Sequence, residues 1–165
     1  MKYLKVFLVT GIVLMMILSY TTRTSGLSVG TNPGNFIPNF EIVDNSGKSF
    51  RLSELKGQKV LINFWAAYDA DSHMKNVLLW NNIQKMEQEI KMVSVSFDPS
   101  KSVFEKTLKV DGLNDDHHYF ASEGIDSEIY KKCKLEKGFG NYLVDENGVI
   151  IAKDVTPEKL KELLS

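Results

Sequence analysis

The chain has 165 residues, of which 43% are hydrophobic and 25% are charged. This length and composition predict one globular domain with a hydrophobic core of its own. The formal net charge is -1, so the sequence lacks the basic surface that nucleic acid binds, and we expect no nucleic-acid partner.

The first 25 residues have the pattern of a targeting segment. Lys2 and Lys5 precede an apolar run from Val6 to Leu18. The run is shorter than the roughly 20 apolar residues of a typical membrane-spanning helix and fits the hydrophobic region of a secretory signal. We predict that residues 1–25 export the chain, either as a cleaved signal peptide or as an anchor in which residues 4–20 tether it to the inner membrane. Any membrane contact would be through this segment alone.

Residues 26–35 are small, polar and rich in glycine, and we predict that they form a linker. The folded domain is then predicted over residues 36–165, in the periplasm or another extracytoplasmic compartment. Cys133 is the one cysteine of the sequence, so these residues cannot form an intrachain disulfide.

The first half of this domain alternates strand and helix patterns. Asn45-Ser46-Gly47 is a turn signal between two short alternating runs and predicts a β-hairpin. The apolar run from Lys59 to Trp65 predicts a strand that is covered on both faces. A second buried strand is predicted at Lys91–Phe97. A helical stripe lies between these two strands and consists of Leu79, Ile83, Met86 and Ile90.

The second half continues the alternation. A helix is predicted from Pro99, a polar segment occupies residues 112–132, and Asn147-Gly148 marks a second hairpin. Thr156 and Pro157 have the residue types that begin a helix, and they predict a last one. The order of elements predicts an α/β fold, in which a mixed central sheet has helices on both faces and a parallel βαβ unit at its centre.

Two stretches of the domain carry motifs of a known family. Residues Pro38–Ser72 read PNFEIVDNSGKSFRLSELKGQKVLINFWAAYDADS, and Tyr142–Ile150 read YLVDENGVI. Both resemble thioredoxin-like thiol-disulfide oxidoreductases of the exported TlpA/ResA type, which are related to AhpC/TSA proteins. The resemblance covers about residues 36–164. It implies a thioredoxin-like fold with an N-terminal β-hairpin and a central insertion, which would be the 112–132 segment.

The resemblance does not extend to the functional positions of that family. Asp69 and Ser72 stand where the family has its two redox cysteines, and Tyr68 stands where it has the preceding aromatic residue. Val77 and Phe139 replace two prolines, of which the second is a cis-proline. Disulfide exchange needs an attacking thiolate and a second sulfur. We therefore predict that the chain has lost dithiol redox activity.

The replacements predict a different local structure. A carboxylate at Asp69 would cap the helix that follows, because it accepts backbone N–H groups there. A cis bond before Phe139 would cost about 2.5–4 kcal/mol, so we expect a trans bond and a changed loop with Gly138 and Gly140 beside it. Phe139 would then plug the groove that holds substrate peptides in relatives, or offer it an apolar contact.

The candidate groove residues are aromatic and acidic. Trp65 is predicted to be a core residue, whereas a tyrosine just before a helix start is the better surface contact. The predicted binding groove consists of Tyr68, Asp69, Asp71 and Phe139.

Two alternatives would keep a catalytic role. Cys133 would act as a single redox cysteine, or Asp69, Asp71 and His73 would bind a metal. Cys133 follows a predicted helix C-terminus, where the helix dipole disfavours a thiolate, so a structural role is favoured. Helical residues two apart point about 200° apart, so the metal ligands would not converge on a regular helix. The run Asp115–His118 is another polar cluster and is better interpreted as a polar edge strand.

Taken together, the residues predict an exported thioredoxin-fold protein without dithiol activity. A non-catalytic binding or scaffold module with a protein or peptide partner is favoured, because the sequence holds no complete catalytic set. The alternative is an enzyme of this family with altered chemistry at Cys133 or at the acidic cluster. No cofactor and no resident metal are predicted.

Overall fold

The structure is a computed structural model that describes residues 27–43, 46–87, 89–113 and 115–164. The predicted targeting segment, 1–25, lies outside the described residues. In the part of the chain that is described, the strands are β1 (Glu41–Val43), β2 (Ser49–Arg51), β3 (Val60–Trp65), β4 (Lys91–Ser96), β5 (His118–Phe120), β6 (Asn141–Val144) and β7 (Ile150–Lys153). The α-helices of the same part are α1 (Ala70–Ile83), α2 (Lys101–Asp111), α3 (Glu128–Lys132) and α4 (Pro157–Leu164). None of these helices is long and apolar enough to cross a membrane.

A five-stranded mixed sheet in the order β5-β4-β3-β6-β7 forms the centre of the domain. β3 and β4 are parallel, with Val60 opposite Lys91 and Trp65 opposite Ser96. β6 and β7 are antiparallel neighbours on the other side of β3. All six residues of β3 are buried, because layers cover both faces of the sheet. The central βαβ unit predicted from the sequence is confirmed.

The two faces of the sheet are covered by different layers, since successive side chains of a strand point to opposite faces. Leu61 of β3 belongs to an apolar cluster with residues of α1 and α4, including Leu79 and Leu160. Phe64 belongs to a second cluster with Ile42 of the β1–β2 hairpin and with residues next to or within α3. The N-terminal hairpin is therefore part of the core.

Helix α1 is shorter than the apolar stripe predicted. It ends at Ile83, where the amide of Gln84 donates to backbone carbonyls of Trp80 and Asn82. Met86 and Ile90 follow the helix, yet both pack against the same apolar cluster as α1. The apolar spacing therefore indicated which residues pack against one surface, but it did not indicate where the helix ends. The chain continues from the end of α1 to β4 without helical structure at Met86 and Ile90.

The other helix starts depend on short polar side chains. The predicted start of α2 at Pro99 is two residues early. The helix begins at Lys101, and the hydroxyl of Ser100 caps it by accepting from the amide of Val103. The start of α4 is as predicted: Thr156 precedes Pro157, and its hydroxyl accepts from the amide of Lys159.

The polar segment 112–132 forms one edge of the domain. It contains β5, which pairs parallel with β4 through Ser94 and His118, and the short helix α3. The prediction of a polar edge strand at Asp115–His118 was wrong in part. Residues up to His117 form a 3-10 helix, and His118 is fully buried against Trp80.

The predicted linker contributes to the folded domain. The amide of Gly34 donates to the carbonyl of Ile150 at 2.9 Å, and the amide of Ile150 donates to the carbonyl of Asn35 at 2.9 Å. Phe36 forms bridges to Val29 and Val149. The C-terminal end of this segment thus pairs with the start of β7 at Ile150, where the edge of the sheet would otherwise expose unpaired backbone groups.

The parallel strands place the candidate site. β3 and β4 end at the same edge of the sheet, at Trp65 and Ser96, and α1 begins there. In α/β sheets, this carboxyl edge is where ligands commonly bind. The segment from Ala66 to Asp69, which joins β3 to α1, is called the β3–α1 junction below.

Candidate functional site

Asp69 caps helix α1 as predicted. Its backbone is extended, and its Oδ1 accepts from the amide of Ser72 at 2.9 Å. That hydrogen bond is the main reason why the pKa of Asp69 lies below its ordinary value, and the charge of Lys75 acts in the same direction. The carboxylate thus occupies the positive end of the helix dipole in its ionised form.

Ser72 lies beneath the junction with 5% of its surface exposed. Its Oγ accepts from the amide of Ala66 at 3.3 Å and donates to the carbonyl of Asp69 at 3.2 Å. The hydroxyl therefore connects the end of β3 to the start of α1. Asp69 and Ser72, which the sequence predicts at the family's two cysteine positions, both use side-chain oxygens in backbone hydrogen bonds, and an oxygen cannot replace sulfur in disulfide exchange.

A buried carboxylate holds the junction from the β4 side. Asp98 is 3% exposed, and its Oδ1 accepts from the amide of Ala67 at 2.7 Å. Its Oδ2 accepts from the hydroxyl of Ser96 at 2.7 Å. Sequence analysis did not single out Asp98. The sequence feature that could have identified it is its position. Asp98 directly follows the predicted buried strand Lys91–Phe97, and an acidic residue there can reach the end of the neighbouring parallel strand β3.

Tyr68 and Phe139 meet at the surface of the junction. Tyr68 is 66% exposed, and its ring contacts that of Phe139 with centroids 6.3 Å apart and planes at 61°. Phe139 is half-buried and stacks on Phe97 at 5.6 Å. One face of the Phe139 ring is therefore covered by Phe97, while the ring of Tyr68 is accessible to solvent.

The loop before β6 has the course that glycines permit. No peptide bond among the described residues is cis, so the Gly138–Phe139 bond is trans as predicted. Gly138 has a φ of +115°, a region that other residues rarely adopt. A side chain at Gly140 would lie 2.5 Å from Oδ1 of Asp154. These two glycines let the loop place Phe139 against the junction.

The acidic cluster does not form a metal site. The side chain of His73 pairs through Nε2 with Oδ2 of Asp111 on α2, at 2.5 Å. Its ring stacks on Trp65 at 5.6 Å. Asp69 is used as the helix cap, and Asp71 is exposed on the first turn. Among the described residues, no three His, Cys, Asp or Glu side chains are grouped so that they could hold a metal ion.

Cys133 has the environment of a structural cysteine. It follows the last residue of α3, is 2% exposed and belongs to the cluster around Phe64. Burial raises the pKa of its thiol to about 12, against a smaller opposing effect of Lys132. A thiol in this state is neutral near pH 7 and therefore a poor nucleophile.

Both tryptophans of the chain are part of the core. Trp65 is fully buried beside Phe104, and Trp80 is 7% exposed and contacts His117 and His118. Of the aromatic candidates, Tyr68 and Phe139 are thus the pair that the fold brings to the surface at the junction.

Comparison with known proteins identifies relatives over most of the domain. The model of the AhpC/TSA family matches residues 33–153. The chain is 30% identical over 118 residues to the thiol-disulfide oxidoreductase ResA of Bacillus subtilis (strain 168), a match of 68% of this chain. It spans 66%, or just under two thirds, of that relative's length. It is also 26% identical over 148 residues to the thioredoxin-like protein YneN of the same organism, over 85% of this chain and 84% of that protein.

Solved structures agree with these matches. A thioredoxin-like protein from Parabacteroides distasonis is 42% identical, with a TM-score of 0.73, over 84% of this chain and 98% of that one. The C-terminal domain of a protein from Bacteroides thetaiotaomicron, described as a putative thiol-disulfide oxidoreductase, is 26% identical. Its TM-score is 0.68, over 81% of this chain and 93% of that one. The predicted thioredoxin-like fold is confirmed.

The cap at Asp69 predicts a pH-dependent contribution to stability. Asp69→Ala should lower the free energy of unfolding by about 1 kcal/mol at neutral pH, whereas Asp69→Asn, which can still cap, should stay close to wild type. The folded pKa of Asp69 is lowered, so its ionised form stabilises the fold above the ordinary value near 4. That contribution is lost as the pH falls through the folded pKa.

Urea unfolding followed by circular dichroism at neutral pH and at about pH 3 measures these differences. Asp69→Asn serves as the control, since it keeps the cap and removes the titrating group. A free energy of unfolding for Asp69→Ala equal to that of wild type at neutral pH would contradict the assignment. So would a difference between Asp69→Ala and wild type that is the same at both pH values.

The burial of Cys133 predicts a protected thiol. At about pH 8, a thiol reagent such as Ellman's reagent should label the native chain at least about 100-fold more slowly than the chain in denaturant, because almost no thiolate is present. Cys133→Ser gives the background of the assay. Equal labelling rates in the native and denatured chains would contradict the structural role and would favour the single-cysteine hypothesis.

Proposed function

The chain belongs to the AhpC/TSA family, and from this premise we propose that it is an exported binding module that holds a protein or peptide at the β3–α1 junction without exchanging disulfides. One observation carries the proposal. At the junction, the oxygens of Asp69 and Ser72 are committed to backbone hydrogen bonds, while Tyr68 beside them is exposed. These features support a contact surface that lacks the sulfur atoms needed for disulfide exchange.

The surface has the composition of a peptide-binding contact. Tyrosine is enriched in interfaces because it combines a large ring with a polar hydroxyl and few rotatable bonds. Tyr68 is flanked by Ala67 and Asp69, whose hydrogen bonds to Asp98 and Ser72 fix the backbone on both sides. A ring presented on a fixed backbone loses little conformational entropy on binding. Phe139 extends the aromatic surface next to it.

Export is proposed on the pattern of the first residues. Lys2 and Lys5 followed by the apolar run Val6–Leu18 match a secretory signal. A retained segment would instead anchor the domain at a membrane surface and leave the junction in the extracytoplasmic compartment. In either case, the proposed partner is a protein or peptide of that compartment.

A library of random displayed peptides, selected on the full-length chain, provides a direct test. Selected peptides should bind Tyr68→Ala at least about tenfold more weakly than wild type, because a central tyrosine of an interface typically contributes more than 1 kcal/mol. Dissociation constants can be measured by isothermal titration calorimetry. Tyr68→Ala should leave the free energy of unfolding nearly unchanged, since its ring is exposed.

Ile151→Ala is the matched control. Ile151 is an exposed apolar residue of β7, at the end of the sheet opposite the junction. Binding at the junction would be contradicted if the two variants weakened peptide binding equally, or if neither variant weakened it.

A further inference from the structure

Tyr68 and Phe139 form an open corner of two aromatic rings. Their planes lie at 61°, and one face of Phe139 is covered by Phe97, on which it stacks at 20°. Tyr68 has no such cover and is 66% exposed. A ligand can therefore reach the ring of Tyr68 while it touches the rim of Phe139. This pair of rings is called the aromatic corner below.

Two carboxylates lie close to Tyr68 in the aromatic corner. Asp69, the next residue after Tyr68, is the helix cap, and Asp98 is buried beneath the junction with its Oδ1 on the amide of Ala67. Partial burial is the largest cause that raises the pKa of Tyr68, followed by Tyr130 and by the charges of Asp69 and Asp98. The hydroxyl of Tyr68 thus lies in the field of both carboxylates.

Two features of the corner favour a cationic ligand. The faces of aromatic rings carry negative charge density and attract ammonium and guanidinium groups within about 6 Å of the ring centroid. The carboxylate of Asp69 adds a charge of the sign that such a group needs. Lys75 acts on this carboxylate from within α1, and it is the cation against which a ligand would compete.

We propose that the aromatic corner, with Asp69 beside it, binds the cationic side chain of a lysine or arginine in an extended peptide. This inference rests on the proposed function and adds the chemistry of the partner. A peptide is favoured over a free small cation because the corner is open: an exposed cation–π contact and an exposed ion pair are each weak, so further contacts along a chain are needed.

Matched peptides test the preference. The probes are acetyl-Gly-Val-X-Val-Gly-amide with lysine, glutamine or glutamate at X, titrated into the full-length, 15N-labelled chain and followed by NMR. The lysine peptide should bind about 5- to 20-fold more tightly than the glutamine peptide, and the glutamate peptide should bind most weakly. High salt should reduce the preference, because the contribution of Asp69 is screened.

Variants of the chain separate the contribution of the Tyr68 ring to the lysine preference from that of the Asp69 charge. Tyr68→Leu removes the aromatic face and Asp69→Asn removes the charge but keeps the helix cap, so each should lower the ratio of lysine to glutamine affinity. The double variant should bring that ratio to within about twofold of one. Glu146→Gln is the matched control, since Glu146 is an exposed acid at the opposite end of the sheet. It should leave the ratio unchanged.

The outcomes distinguish the two proposals. If all three peptides bind equally and Tyr68→Leu weakens all of them alike, the cationic preference is overturned and the proposed function stands. If no peptide shifts the resonances of the junction at about 10 mM, or if Tyr68→Leu has no effect on binding, both proposals are overturned. A lysine preference that is lost equally in Glu146→Gln would show only a general effect of net charge, and it would also overturn the cation site.

Discussion

The hydrogen bonds that hold the β3–α1 junction are the constraint on which the site depends. A chain that leaves a strand and starts a helix exposes amides with no partner in either element. Here Asp98 accepts from Ala67, Ser72 accepts from Ala66, and Asp69 accepts from Ser72. Asp98 and Ser72 are buried, so the loss of either would leave an unsatisfied amide at a cost of about 1–3 kcal/mol. Tyr68 is consequently exposed on a backbone that is fixed on both sides.

The same junction shows how the fold can be stable without cysteines at the start of α1. The positive end of α1 would stabilise a thiolate, and here it stabilises the carboxylate of Asp69. Asp69 therefore places a negative charge at the positive end of the helix. The buried hydroxyl of Ser72 forms hydrogen bonds with the amide of Ala66 and the carbonyl of Asp69. Sulfur is absent from the junction, and Cys133 is buried with its pKa raised to about 12. These features support the proposal that the chain binds a partner at the junction without exchanging disulfides.

The elements that could be predicted from the sequence are those whose causes are local. The burial of β3, the cap at Asp69 and the start of α4 follow from short patterns of apolar and capping residues. The role of Asp98 could not be predicted in this way, because its bond to Ala67 joins residues 31 positions apart. The pairing of His73 with Asp111 spans 38 positions and removes His73 from the acidic cluster.

Two further differences between the sequence predictions and the structure result from tertiary contacts. Gly34 and Asn35 lie in a segment with the composition of a linker, yet their backbone groups pair with Ile150 at the start of β7, the last strand of the sheet. His118 lies in a polar run, but its position in β5 points it into the core beside Trp80. In both cases the partner is distant in sequence, so local composition is a poor guide.

The proposed loss of disulfide exchange is tested most directly by the reduction of insulin disulfides with dithiothreitol, in the presence and absence of the full-length chain. We expect the chain to leave the rate of insulin precipitation at the uncatalysed value, and Cys133→Ser to behave identically. A clear acceleration by wild type that Cys133→Ser abolishes would show that the remaining sulfur carries electrons. That result would contradict the proposal that the chain does not exchange disulfides.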